Sequence, residues 1–347
     1  MTIDLTDTTT GAIDSALNEA RRRLGGMTLG MVLTLIIVTD EAAQYDAIRA
    51  ANQAAREHPC RILAVIARKP KADSRLDAEI RVGEASPGET IVLRMYGPLG
   101  QHADSVVAPL LVPDVPVVTW WPDEAPEIPA KDPLGALAQR RVTDTAAAEA
   151  PRETLAGLAS VYQPGDTDFG WTRATPWRSL LAATLDQPHP RVTAGEVAAE
   201  QDNPTADLIA AWLSLRLEVP VSRTVSGGPG ITEACFTTLD GDIKITRFDG
   251  RTATLSWPGK TDRMLALHRR DTAELLAEEL RRLDPDEVYA ETLGHIDLSG
   301  SAELAGPAEY PQPPAGQEGA AEVTADAPRE DGTAQSDTAE AGGQPAE

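Results

Sequence analysis

Apolar positions along the chain change their period several times, and each change marks an element. After Thr10, a good N-cap, Ile13, Leu17, Ala20 and Leu24 recur at helical spacing until Gly25-Gly26 stop them. Residues 31–38, MVLTLIIV, are apolar on both faces, as a central parallel strand is. Asp40 is placed to cap a helix to about Glu57, which His58-Pro59 ends, and RILAVIARK (61–69) reads as the next strand. This strand–helix–strand unit is a βαβ signature, for which a right-handed crossover is expected. Alternating segments near 76–83 and 90–96, separated by Ser86-Pro87-Gly88, predict a hairpin and so a mixed sheet. In LLVPDVPVVTWWPDEAP (110–126), Val115, Val117 and Val118 predict a short strand with Trp120-Trp121 at its end. Helices are expected over 133–141 and 151–161.

The stretch 164–186, PGDTDFGWTRATPWRSLLAATLD, concentrates two Trp, two Arg and several Asp. Thr175 as N-cap and Pro176 at the first helical position predict a helix over 175–186. Trp177, Leu180, Leu181, Thr184 and Leu185 form its apolar stripe, and 166–173 is expected to be a polar loop before it. Arg178, in the first turn, would oppose the helix dipole and need a carboxylate such as Asp166 or Asp168 nearby. Asn203-Pro204 opens a helix to Leu217. Strands follow at 231–239, 242–248 and 251–257, joined by Asp240-Gly241 and Asp249-Gly250, and 263–268 extends this meander. Asp271 and Glu274 form a capping box for a helix to Leu283, and 286–293 forms a final helix. The expected fold is an α/β N-terminal domain (1–163, a mixed, largely parallel sheet flanked by helices). An α+β C-terminal domain (164–298, an antiparallel meander with helices) and a disordered acidic tail (299–347) follow.

Composition narrows the function. The 347 residues are 41% hydrophobic and 24% charged, ordinary for a soluble globular protein of about two domains. The net charge is −23, and residues 300–347, with ten acidic residues and one basic, account for −9 of it. Nucleic acid is therefore an unfavourable partner. No stretch is long and apolar enough for a membrane span, and the polar start MTIDLTDTTTGAID is unlike a signal peptide, so a cytoplasmic protein is expected. Two isolated cysteines, Cys60 and Cys235, fit a reducing compartment and have no metal-ligand spacing.

Catalytic constellations are scarce, and neither a catalytic residue, a cofactor nor a metal is expected. The glycine-rich runs 25–30 and 226–230 precede strands, whereas a phosphate loop follows one and opens a helix. Asp40-Glu41 stand where a dinucleotide would need glycines and amides. What remains is partner binding, because Trp and Arg dominate interface hot spots and four of the six Trp fall within 120–177. The contact residues expected are Trp120, Trp121, Asp166, Asp168, Trp171, Arg173 and Arg178. Cys60, beside His58, is the redox candidate. The alternative is a metabolite-binding or enzymatic α/β domain recognising a sugar phosphate or nucleotide through a basic pocket at the strand ends.

Several long runs resemble one family: GMVLTLIIVTDE (30–41), HPCRILAVI (58–66), LLVPDVPVVTWWPD (110–123), YQPGDTDFGWTRATPWRSLLA (162–182) and LAEELRRLDPDEVYAETL (276–293). They are similar to OpcA, the glucose-6-phosphate dehydrogenase assembly proteins, in the actinobacterial form. The resemblance implies a non-catalytic protein that binds glucose-6-phosphate dehydrogenase, promotes its active oligomer as an allosteric activator and so supports NADPH supply through the oxidative pentose phosphate pathway. Cyanobacterial members are linked to thioredoxin-dependent control through cysteines, a mechanism the resemblance does not carry over to a chain whose cysteines are Cys60 and Cys235.

Overall fold

Eight strands, among the residues described, form the first sheet. The structure is a computed structural model and describes residues 1–23, 30–68, 71–83 and 88–296. Leu24 with Gly25-Gly26, the Ser86-Pro87 turn and the acidic tail expected over 299–347 lie outside the described residues. In chain order the first elements are β1 (Thr2–Leu5), α1 (Thr10–Arg23), β2 (Leu33–Thr39), α2 (Gln44–Ala54), β3 (Cys60–Arg68), β4 (Arg75–Val82) and β5 (Glu89–Tyr96). Then come α3 (Ala103–Val107), β6 (Val117–Trp120), β7 (Arg140–Thr143), α4 (Pro151–Val161) and β8 (Asp166–Asp168). The spatial order is β1-β4-β5-β3-β2-β6-β7-β8. Strands β5 through β8 run parallel, while β4 pairs antiparallel with both β5 and β1. The parallel part has the strand order of doubly wound dinucleotide-binding sheets, with its topological switch between β2 and β6.

Strand β2 is apolar on both faces because both are covered. Ile36 joins Leu63, Ile91 and Leu93 under Ile13 and Leu17 of α1. Leu35 and Ile37 join Ile62 and Ala64 under Ala47, Ile48 and Ala51 of α2. A period of 2 along each strand thus feeds two cores, one on each side.

The second sheet follows α5 (Phe169–Leu185) and contains β9 (Val192–Ala199), β10 (Val221–Val225), β11 (Ile231–Thr238), β12 (Gly241–Thr246), β13 (Thr252–Ser256) and β14 (Arg263–Ala266). Its order is β10-β9-β11-β12-β13-β14. The predicted meander is β11 to β14, all antiparallel; β9 pairs antiparallel with β11, and only β9 and β10 run parallel. Gly241 and Gly250 take φ of +119° and +70° at the two Asp-Gly turns, which L side chains rarely adopt. Helix α6 (Pro204–Leu217), capped by Asn203, lies between β9 and β10 in the chain, and its Leu208, Ile209 and Leu213 enter the core of this sheet.

Helices α7 (Thr272–Arg281) and α8 (Glu287–Leu293) end the described chain. The Asp271–Glu274 capping box starts α7 as predicted. Yet α7 packs on the first sheet: Leu275, Leu276 and Leu280 share a core with α2 and β2. Tyr289 and Leu293 of α8 belong to the second core.

Three local expectations are corrected. Asp40 caps a turn, its Oδ1 accepting from the Ala42 and Ala43 amides, and the helix starts only at Gln44. The helix expected over 133–141 is a short 3-10 turn followed by β7, because Arg140 and Arg141 have buried carboxylate partners and need no solvent-facing helix. The polar loop expected over 166–173 is strand β8 and the first turn of α5, which starts at Phe169, not Thr175.

Candidate partner groove at the junction of the two sheets

The start of α5 is fixed by Asp168. This fully buried N-cap accepts from Gly170 N at 2.7 Å, Thr143 Oγ1 at 2.7 Å, and both Thr145 N and Oγ1 at 2.9 Å. Burial pushes its carboxyl up to about 6, and the nearby Asp144 adds to the rise. The Thr143 hydroxyl and the Thr145 and Gly170 amides act the other way.

With the helix beginning there, Pro176 falls in its interior. A proline has no N–H for the carbonyl four residues back, which leaves Thr172 O without its helical bond. Arg270 donates its Nη2 to that carbonyl and its Nη1 to Glu278. A sequence signal for a helix start is thereby accommodated mid-helix by a side chain almost a hundred residues away.

Glu279 of α7 joins three elements. It accepts from Arg140 of β7 through Nε at 2.9 Å and Nη2 at 2.5 Å, and from Thr172 Oγ1 of α5 at 2.5 Å. Arg140 Nη1 also donates to Asp284 O at 2.9 Å. Beside this network opens a groove of about 470 Å³ whose wall includes Trp171, Thr175, Arg178, Arg282 and Asp286. Trp171 is buried and donates Nε1 to Asp286 Oδ2 at 2.8 Å, while Arg178 lies 3.6 Å from the centre of its ring. Burial lowers the Arg178 pKa, opposed by Asp286, Glu278 and Glu279. Its Nε is buried with no hydrogen-bond partner among the described residues. The offset expected from Asp166 or Asp168 is thus supplied from α7 and α8.

The other expected contact residues separate. Asp166 pairs with Arg141 and accepts from Gln163 N at 2.7 Å, closing the turn before β8. Arg173 makes a bidentate pair with Asp144 at 2.6 and 2.7 Å. Trp120 and Trp121 are buried at the end of β6: Trp120 packs against Phe169 with ring centres 5.6 Å apart, and Trp121 lies against the Gly135 turn. These indoles serve packing within this chain, and only Trp171 and Arg178 come together in the groove.

The switch point is acidic. Asp46, Asp123, Asp144 and Asp271 line a cleft of about 560 Å³ there with Arg49, which pairs with Asp46, and Thr39 donates to Asp123 at 3.3 Å. Burial raises the Asp123 pKa, with Asp40, Asp144 and Glu124 adding to the rise. Such a site repels phosphate. Cys60 begins β3, fully buried, and burial pushes its thiol up to about 12, the reverse of a reactive thiolate's surroundings.

Sequence reasoning missed Arg140, Glu279, Arg282 and Asp286. The first was legible only as half of an Arg-Arg pair, and the others as polar positions on helices whose neighbours were unknown.

Residues 51–160 match the family model described as glucose-6-phosphate dehydrogenase subunit N-terminal domain, and residues 164–293 match the corresponding C-terminal domain. No curated protein matches the chain. Among solved structures, it is similar to the 3-ketoreductase KijD10 of Actinomadura kijaniata with TDP-benzene and NADP in an open conformation. The identity is 12%, over 78% of this chain and 96% of that one, with a TM-score of 0.44. A second structure of that enzyme with NADP and TDP-benzene gives 14%, 77%, 95% and 0.45. Neither likeness bears on function. With both halves matched in order, the chain belongs to the OpcA family of glucose-6-phosphate dehydrogenase assembly subunits.

Proposed function

We propose that this chain is a non-catalytic, cytoplasmic assembly factor that binds glucose-6-phosphate dehydrogenase, stabilises its active oligomer as an allosteric activator, and so supports NADPH production in the oxidative pentose phosphate pathway. The observation that carries the reading is the match of both halves to assembly-subunit domains. A partner that binds the active oligomer better than the alternatives shifts the equilibrium by that difference alone. A tenfold gain in active enzyme needs about 1.4 kcal/mol of preference.

The groove beside α5 is the surface we assign to the contact, with Arg178 and the exposed Arg282 set among Glu278, Asp284, Asp286 and Glu287 on its wall and Trp171 as its buried support. Trp120, Trp121, Asp166, Asp168 and Arg173 then act indirectly, by holding α5 and the strand ends in place. The test is co-purification with the dehydrogenase, with activity and oligomer size measured at several substrate and NADP concentrations. Complex formation and activation are expected, and Arg282→Glu should cut activation about tenfold while the thermal melt stays near wild type. Absence of any complex across that range would overturn the reading.

A further inference from the structure

One cavity runs against the charge of the whole chain. It is small, about 70 Å³, and lies where α5, the start of α6, β11 and the segment before α7 meet. Its ionisable lining is entirely basic, with Arg173, Arg247, Arg269, Arg270 and His268, in a chain of net charge −23. Arg173 and Arg270 have carboxylate partners in Asp144 and Glu278. Arg247 and Arg269 have none among the described residues.

The geometry converges on one point. Gly230 has φ +67°, and the position its missing Cβ would take lies 3.5 Å from Arg247 Nη2, 3.9 Å from Arg269 Nε and 3.9 Å from Asn203 Nδ2. The Asn203 amide is oriented by its capping role, because Oδ1 accepts from Ala206 N at 3.2 Å and Nδ2 is left facing away from the helix backbone. Arg247 is 5% exposed and held by the carbonyls of Leu267 and Ile231, both at 3.2 Å, with Nε buried and without a hydrogen-bond partner among the described residues. The 14-residue helix α6 starts at the same place and adds the partial positive charge of its N-terminus. Three N–H donors from three segments, two of them cations without a direct ion pair among the described residues, surround a space that glycine leaves open. Burial, with Arg269 adding to it and Asp249 opposing it, lowers Arg247 to about 10, a cost that an anion in this space would reduce.

We propose that this cavity binds a phosphoryl group, cradled by Arg247, Arg269, Asn203 and the start of α6. Its volume is well under the roughly 300–1,000 Å³ of pockets that engulf a whole small molecule. A single tetrahedral oxyanion is held, and the remainder of a phosphate monoester projects past the exposed Arg269 and His268 to solvent. The acidic switch point of the first sheet offers nothing comparable.

The test uses the full chain without any dehydrogenase, so its outcome is independent of the assembly reading. Calorimetric titration at constant ionic strength compares inorganic phosphate, a hexose monophosphate and a nucleoside 5′-monophosphate. Saturable binding with a ligand-dependent rise in Tm is expected. Tighter binding of either ester would identify an esterified ligand, and equal affinities would identify phosphate itself. Arg269→Gln, at an exposed side chain, should weaken binding at least about tenfold without altering the unliganded melt. Asn203→Asp keeps a capping oxygen but puts a carboxylate in the cradle, and should abolish binding. No binding of any of the three by roughly 10 mM, or equal binding by both variants and wild type, would overturn the proposal.

Discussion

Replacing Glu279 by alanine should be among the most damaging single changes in this protein. The carboxylate is 5% exposed and takes two guanidinium bonds from Arg140, itself 4% exposed, and a third bond from Thr172. Its loss leaves a buried guanidinium with the Asp284 carbonyl and the Thr172 hydroxyl with its long 3.4 Å bond to Asp168 O. Removing one partner of a buried pair costs about 3–5 kcal/mol, most of it the penalty of the charge left behind. Replacing both partners removes that penalty, so Arg140→Met/Glu279→Leu should fall within about 1–2 kcal/mol of wild type. The interaction itself is the double variant's loss minus the summed losses of Arg140→Met and Glu279→Leu, which a double-mutant cycle built from those same substitutions measures directly. Urea unfolding followed by far-ultraviolet circular dichroism and by tryptophan fluorescence suits the purpose, because coincident transitions establish that the free energies are comparable. A Glu279→Ala cost under about 1 kcal/mol, or a double variant as unstable as the single one, would refute the view that this pair joins the sheets at a high desolvation cost.

Arg270→Ala should destabilise by about 1–3 kcal/mol through the orphaned Thr172 carbonyl, and adding Pro176→Ala should recover much of that loss by restoring the helical N–H, as read by thermal melts. Asp168, raised to about 6 when folded, binds its proton more tightly in the native than in the unfolded state, so its contribution to stability is greatest below about pH 4 and is lost as pH rises to about 6. The size is about 2–3 kcal/mol, and Asp168→Asn, though less stable overall, should show a flatter profile across that window in urea midpoints. At pH 8, a thiol-specific reagent should label Cys60 roughly a thousandfold more slowly in the native chain than in urea, since the thiol is pushed up to about 12 and is fully buried.

Elements whose apolar pattern matched their own period were legible in the chain. The doubly covered β2, the capping box of α7 and the Asp-Gly turns of the meander all state their structure locally. What escaped were elements whose identity depends on distant partners. Strand β7 reads RRVT, and two adjacent arginines look solvated until Glu279 and Asp166 arrive from elsewhere. The start of α5 was read at Thr175, but Asp168 caps it seven residues earlier, and Arg270 compensates the proline that this leaves mid-helix. Strand β9, with small residues and a glycine, has too little apolar signal to be seen alone. The groove suffered likewise: Trp171 and Arg178 were visible, but Asp286 and Arg282 acquire meaning only once α7 and α8 are folded back.

The docking of α7 on the first sheet also sets a schedule for synthesis. Strands β2, β3 and β6 leave the ribosome early, yet the face they share with α2 gains its cover only when Leu275, Leu276 and Leu280 have been made. Until then Ala47, Ile62 and Val118 border an unfinished apolar surface, of the kind that recruits chaperones or self-associates. A nascent chain stalled anywhere before residue 271 would therefore be sticky however well its early strands had paired. Helix α7 acts as the latch on the first sheet to form.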